Sequence, residues 1–329
     1  MRWWTAPEFR IGHVTGPPLD AATGNLLIGR QLREVFAGAR EPLMIARLSL
    51  GAEMSASIDY ANGRRDYADL ESLGNNAGVY PRMAEEATRF VHDYLSSLNA
   101  SRIVARFGGE WHARETFILD RFCPTATFVA NRALEPFYFQ GDEPWSSQLA
   151  GRRVLVVHPF AATILSQYSK HISGRRLWAD PDVLPRFELV TVSAYLTLAD
   201  SPKPHASWSE TLDALKRDVA DVAPFDVALL GCGAYGELRR HEDNNHASIT
   251  SGLPLMHHIH TAHGASAVYV GGAIQVLFGI KGRRWADRPD FANRYFNDAW
   301  VWPAANETPP GAFGVEGAAY WAVPTEVVA

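Results

Sequence analysis

Cysteine is scarce in this chain: only Cys123 and Cys232 occur among 329 residues. Two thiols build neither a disulfide framework nor a four-cysteine zinc site. Long apolar runs are missing too. No stretch approaches the ~18 uncharged apolar residues that a spanning helix requires. The opening Met1-Arg2-Trp3-Trp4-Thr5 lacks the apolar core of a signal peptide, so a cytoplasmic location is expected. An excess of basic charge is also absent, with 31 Lys and Arg against 36 Asp and Glu and a net charge of -5. That sign does not suit a nucleic-acid binder working through a broad basic surface. There is no repeat and no low-complexity tract. What is present is 47% apolar and 20% charged residues, ample for a packed core and unlike a disordered chain.

At ~150 residues per domain the length suits two domains or one large α/β unit. The turn-rich residues 140–153 divide an N-terminal part, 1–150, from a C-terminal part, 151–329. In the first part, Leu26, Leu27, Leu32, Val35 and Phe36 fall on one helical face, as do Met83, Ala87, Phe90, Val91, Tyr94, Leu95 and Leu98. Residues 43–48 and 103–107 read as buried strands. In the second part, Val154-Leu155-Val156-Val157 is uniformly apolar, the pattern of a strand covered on both faces. Further strands are expected over 187–192, 225–230 and 267–270, and helices over 161–171, 208–222 and 273–278. Strands alternating with helices predict an α/β fold with a Rossmann-like, mostly parallel sheet flanked by helices.

Ligands of such sheets bind beyond the carboxyl ends of the strands. Three ends stand out: His158-Pro159, Gly231-Cys232-Gly233-Ala234-Tyr235-Gly236, and Gly271-Gly272. Glycines permit close backbone approach and free helix-start amides favour anions, which suggests a nucleotide or diphosphate ligand. The same glycines also suit plain tight turns. The 231–236 turn fits G-x-G-x-x-G, which raises an NAD(P)-dependent oxidoreductase. The acidic residue that holds the ribose in such sites is missing at the end of the next strand, 267–270. Glu53 and Glu110 each follow a strand and a glycine, where a carboxylate can serve as a base or hold a cation. Lys281, Arg283 and Arg284 form a basic run able to neutralise a diphosphate. Six of the twelve histidines crowd between His241 and His263 without completing a zinc pattern. Trp285, Phe291, Tyr295, Phe296, Trp300, Trp302, Tyr320 and Trp321 offer either sugar-stacking faces or a core staple.

The glycine turn at 231–236 and the run 270–285 resemble bacterial proteins with a GT-D-like glycosyltransferase domain, associated with surface-polysaccharide assembly. Further similarity lies in Asn75-Asn76-Ala77-Gly78-Val79-Tyr80-Pro81, Pro144-Trp145-Ser146 and residues 154–160. It continues through 297–302 with Glu307, Val315-Glu316-Gly317 and Tyr320-Trp321, so that it spans about residues 41–321. The resemblance implies a Rossmann-like sheet, a nucleotide-sugar donor, a hydroxyl-bearing acceptor and a divalent cation, Mn or Mg, on an acidic element. Arg47 and Glu53 match that element, while the Asp expected before Glu53 is not there, and residues 237–252 look like an insertion. The expected function is therefore a hexosyltransferase-like glycosyltransferase. Glu53 is its expected base or metal ligand, with Arg47 beside it. His158, Gly231, Gly233, Tyr235, Gly236, Gly271, Gly272, Gln275, Lys281 and Arg284 are the expected donor-binding residues. A carbohydrate-binding relative without catalysis is the further alternative.

Overall fold

The computed structural model describes residues 17–198, 201–232, 252–314 and 317–322. Short apolar runs become strands: β1 (Met44–Arg47), β2 (Ile103–Arg106), β3 (Thr127–Ala130), β4 (Arg153–His158), β5 (Glu188–Ser193), β6 (Val227–Leu230) and β7 (Ser266–Tyr269). All seven form one parallel sheet in the order β3-β2-β1-β7-β6-β4-β5. Every residue of β1, β2, β6 and β7 is buried, so both faces of the sheet's middle are covered, as a parallel sheet requires. The pairing of β7 with β1 joins the N-terminal and C-terminal parts in this single sheet.

The helices are α1 (Ala21–Phe36), α2 (Ala52–Ala61), α3 (Leu70–Asn75), α4 (Ala84–Ala100), α5 (His112–Phe122), α6 (Ala161–Ile172), α7 (Trp208–Ala220), α8 (Gly252–His263), α9 (Ala273–Leu277), α10 (Arg283–Ala286) and α11 (Pro289–Tyr295). α2, α4, α5, α7 and α8 pack on one another as a layer, whereas α1 packs on β3 and α6 against β4 and β5. Short polar residues start three of them, and at α3 Asp69 accepts from the Ser72 amide. Asp20 accepts a hydrogen bond from the Thr23 amide at α1, and Ser207 from the Glu210 amide at α7. All three remove an orphan donor from the first turn.

The expected inner face of α1 is corrected. Leu26 is exposed, and the buried stripe is Gly24, Asn25, Ile28, Gly29, Gln31 and Leu32. Small residues let the helix settle onto its neighbours: a Cβ on Gly24 would meet Val129 and Ala133. Asn25 satisfies its own amide by accepting from the Trp145 amide at 2.9 Å and donating to the Glu143 carbonyl at 3.1 Å. Hydrophobicity alone does not reveal such a face. On α4 the expected stripe forms from Ala87 to Leu98, while Met83 precedes the helix and is exposed. The C-terminal aromatics act as a staple. Trp285, Phe291, Trp300, Tyr320 and Trp321 are buried, and the Trp300 and Trp321 indoles donate to the Leu177 and Glu307 carbonyls.

Candidate functional site

The sheet order brings the carboxyl ends of β1, β2, β3 and β7 side by side, and a cavity of about 440 Å³ opens over them. Arg47, the last residue of β1, and Phe107, the first after β2, form its floor. Asn131, Arg132, Glu135 and Tyr138 come from the two 3₁₀ turns after β3. Gly272 and Ala273 come from the exit of β7, Arg283, Arg284 and Trp285 from α10, and Arg288 from the entrance to α11. This is the place where open parallel sheets bind ligands. Its wall carries five arginines against two carboxylates, Glu135 and Asp287.

The guanidiniums are held in position. Arg47 is buried, donates to the Val270 carbonyl at 3.1 Å and lies 4.8 Å from the centre of the Phe107 ring. Arg284 donates to the Tyr320 hydroxyl at 3.0 Å, and Arg283 to the Gly317 carbonyl at 2.8 Å. Arg132 lies 4.0 Å over the Tyr138 ring and 3.4 Å from a Glu135 carboxylate oxygen. The side-chain oxygen of Asn131 has no hydrogen-bond partner within the described chain. A buried polar atom left open on a cavity wall is a ready contact for a ligand.

Glu135 is the unusual titrating group. Its side chain is 14% exposed, and burial raises its pKa against the opposing pull of Arg132, Arg47, Arg284 and Arg288. Asp287 differs: it is exposed and paired with Arg283 at 3.0 Å.

Beneath the floor sits a buried ion pair. Arg106 and Glu115 are fully enclosed with their charged atoms 3.5 Å apart. Glu115 also accepts the amides of Phe107 at 2.7 Å and Gly108 at 3.0 Å. Arg106 donates to the Thr116 hydroxyl and stands beside the His112 ring nitrogen. Gly108 has φ +73°, a left-handed conformation that lets the chain turn out of β2 directly over Glu115.

Of the residues expected from sequence, Arg47, Gly272 and Arg284 line this cavity, as do Arg283 of the basic run and Trp285 of the aromatic set. Glu53 does not. It lies in the first turn of α2, 1% exposed, near Tyr94 and Tyr269, whose pKa values are raised chiefly by burial and further by the Glu53 charge. Glu110 is exposed in the turn after β2 and Lys281 is half-buried; neither belongs to the cavity wall. Gly231 and Gly271 have their amides engaged in the sheet, donating to the Val157 and Leu230 carbonyls at 3.0 Å. A Cβ on Gly231 would meet the His158 ring and the Gly271 carbonyl, and one on Gly272 would meet Tyr320. These glycines serve close packing of the chain on itself. Gln275 is buried and donates to the Lys281 and Tyr320 carbonyls, which ties α9 to the C-terminal strap. Gly233, Tyr235, Gly236 and the expected insertion up to residue 251 lie outside the described residues.

Among the described residues, no group of three or more His, Cys, Asp and Glu gathers to hold a metal ion. Arg132, Glu135 and Tyr138 escaped sequence reasoning because β3 is half-exposed and lacks the apolar run that marks the other strands. The glycine-free turn that follows it carries no familiar pattern.

His158 is buried at the end of β4, and burial lowers its pKa to about 3. Its Nδ1 accepts from the Phe160 amide at 3.0 Å, so the ring is neutral with its proton on Nε2. A depressed histidine stabilises the fold fully above its unfolded pKa of 6.5 and loses that contribution as pH falls below it. Between pH 7 and pH 5 the wild-type chain is expected to lose about 2 kcal/mol through this group. Urea unfolding of His158→Gln over the same range should show a flatter dependence. An identical slope in the two proteins would contradict the assignment.

No helix among the described residues is long and apolar enough to cross a membrane. Comparison with protein-family models, with curated proteins and with solved structures finds no match.

Proposed function

We propose that this cavity binds a ligand carrying a phosphate or diphosphate, and that the protein is a glycosyltransferase using a nucleotide-sugar donor. The observation that carries the reading is the convergence of five arginines on one cavity at the carboxyl ends of β1, β2, β3 and β7. A guanidinium offers paired N–H donors that match phosphate oxygens, and it keeps its charge at every working pH. Arg47, Arg284 and Arg288 come from three different segments, so they can grip different oxygens of one diphosphate. Phe107, Tyr138 and Trp285 add aromatic surface to the same wall, with Arg47 and Arg132 lying over the first two rings, and aromatic surface suits a nucleobase or the C–H face of a sugar.

Transfer then breaks the bond between the anomeric carbon and the diphosphate oxygen, with the electron pair going to the diphosphate. The acceptor oxygen forms the new bond. Preorganised guanidiniums stabilise the charge that develops on the leaving group without reorganising at that moment. The acceptor proton needs a carboxylate. Glu53, expected in that role, is buried off the cavity wall, whereas Asp287 stands exposed on it.

Thermal unfolding with nucleotide sugars, the matching nucleosides and NAD(P) tests the reading. A donor at 100 times its Kd should add about 2.7 kcal/mol of stability. Release of nucleoside diphosphate should follow when a hydroxyl acceptor is added. Stabilisation by nucleosides but by no diphosphate-bearing compound would overturn the anion site. Stabilisation by NAD(P) alone would favour the oxidoreductase.

A further inference from the structure

The arginine cavity contains its own internal anion. Glu135 projects from the turn after β3 into a ring of positive groups from separate elements: Arg132 from its own turn, Arg47 from β1, Arg284 from α10 and Arg288 from the start of α11. Tyr138 stands beside it, and Arg283 with Asp287 completes the titratable and charged groups of the wall. An incoming phosphate must share these guanidiniums with the carboxylate already there. Two anions in one small cavity repel, and the repulsion is relieved when one takes a proton; a diphosphate esterified at both ends carries only strongly acidic oxygens, so there the proton goes to the carboxylate.

We propose that Glu135 is a recognition residue whose protonation is coupled to ligand entry: a phosphate or diphosphate binds with uptake of a proton by the Glu135 carboxyl, which then donates a hydrogen bond to a phosphate oxygen. This rests on the cavity being the anion site, though not on sugar transfer. The balance is simple. One proton moves from solvent to a Glu135 oxygen, the ion pair with Arg132 is released, and that guanidinium turns to the ligand.

Burial has already moved Glu135 part of the way toward its neutral form. A bound anion moves it further in the same direction. Between the free-state and bound-state pKa values, binding takes up a proton, so affinity falls as pH rises through that window. Such a carboxyl also selects among ligands. A phosphate oxygen that can accept its hydrogen bond is retained, whereas a ligand offering only donors at that point leaves the proton without a partner.

Calorimetric titration with inorganic pyrophosphate, in Pipes and in Tris at several pH values, counts the protons exchanged on binding. Wild-type protein should take up more protons than Glu135→Gln, with a difference of up to one proton. Its affinity should fall with pH relative to the variant. At the alkaline end Glu135→Gln should bind roughly tenfold more tightly, because a competing charge is gone. Glu135→Asp should keep the proton uptake. Equal proton counts for wild type and Glu135→Gln would overturn the proposal, as would weaker binding by the variant at every pH. Failure of wild-type protein to bind pyrophosphate at all would instead sink the anion-site reading itself. Thermal unfolding of each variant separates a folding defect from a binding one.

Discussion

Glu115→Ala is expected to destabilise the protein by about 3–5 kcal/mol, the cost of removing one partner from a buried ion pair. The truncation strands the fully enclosed Arg106 guanidinium and also frees the Phe107 and Gly108 amides, which Glu115 now accepts at 2.7 and 3.0 Å. Each of these groups would face an interior with nothing to bond to, and a buried donor left open costs about 1–3 kcal/mol on its own. Thr116 and His112 can still receive Arg106, which keeps the total below the sum of the parts. The effect should not stop at stability. Phe107 is the surface on which Arg47 rests, so the loosened turn should weaken pyrophosphate binding as well. Replacing both residues together, with Met at 106 and Leu at 115, should restore part of the stability, since an apolar pair leaves no charge uncompensated. Urea unfolding of the three proteins decides the matter. A loss under 1 kcal/mol for Glu115→Ala would show that the pair does not organise the turn.

Arg47→Met should act on binding far more than on folding. Methionine keeps the apolar stem over Phe107 but removes the charge and the donors. Hydrogen bonds to charged groups contribute about 1.5–3 kcal/mol, so pyrophosphate affinity should drop by roughly 10- to 150-fold. The dependence of binding on salt should become shallower, because one charge fewer takes part. Stability should change little. The Val270 carbonyl loses a donor and Glu135 one of its opposing charges, while repulsion among the five wall guanidiniums is relieved. Arg47→Lys should recover only part of the affinity, since an ammonium cannot offer the paired geometry of a guanidinium. Wild-type affinity in Arg47→Met would remove this residue from the site and with it the floor of the cavity.

Much of the fold is legible in the chain, for identifiable reasons. Runs such as Val154-Leu155-Val156-Val157 leave no polar face, so a strand covered on both sides is the arrangement that hides them. The amphipathic spacing of α4 and α7 and the caps at Asp20 and Ser207 are likewise local properties. Strand β3 and the packing face of α1 were hidden. The first is an edge strand with only partial burial, and the second is built from glycines and amides that hydrophobicity does not weigh.

The candidate site divides in the same way. Gly272 and Arg284 could be singled out from a glycine turn and a basic run, and Arg47 from the family resemblance. Glu135 and Arg288 could not, since a charged residue in a polar turn looks the same whether it meets solvent or a cavity. The amino-acid order alone determined an α/β chain of alternating strands and helices. Which strand ends meet was decided only by the assembled sheet. Hydrogen bonding between β1 and β7 brings together segments more than two hundred residues apart. Parallel strands pair through backbone groups common to every residue, so their order across a sheet follows from how the helical layers pack and leaves no mark in any single stretch of chain.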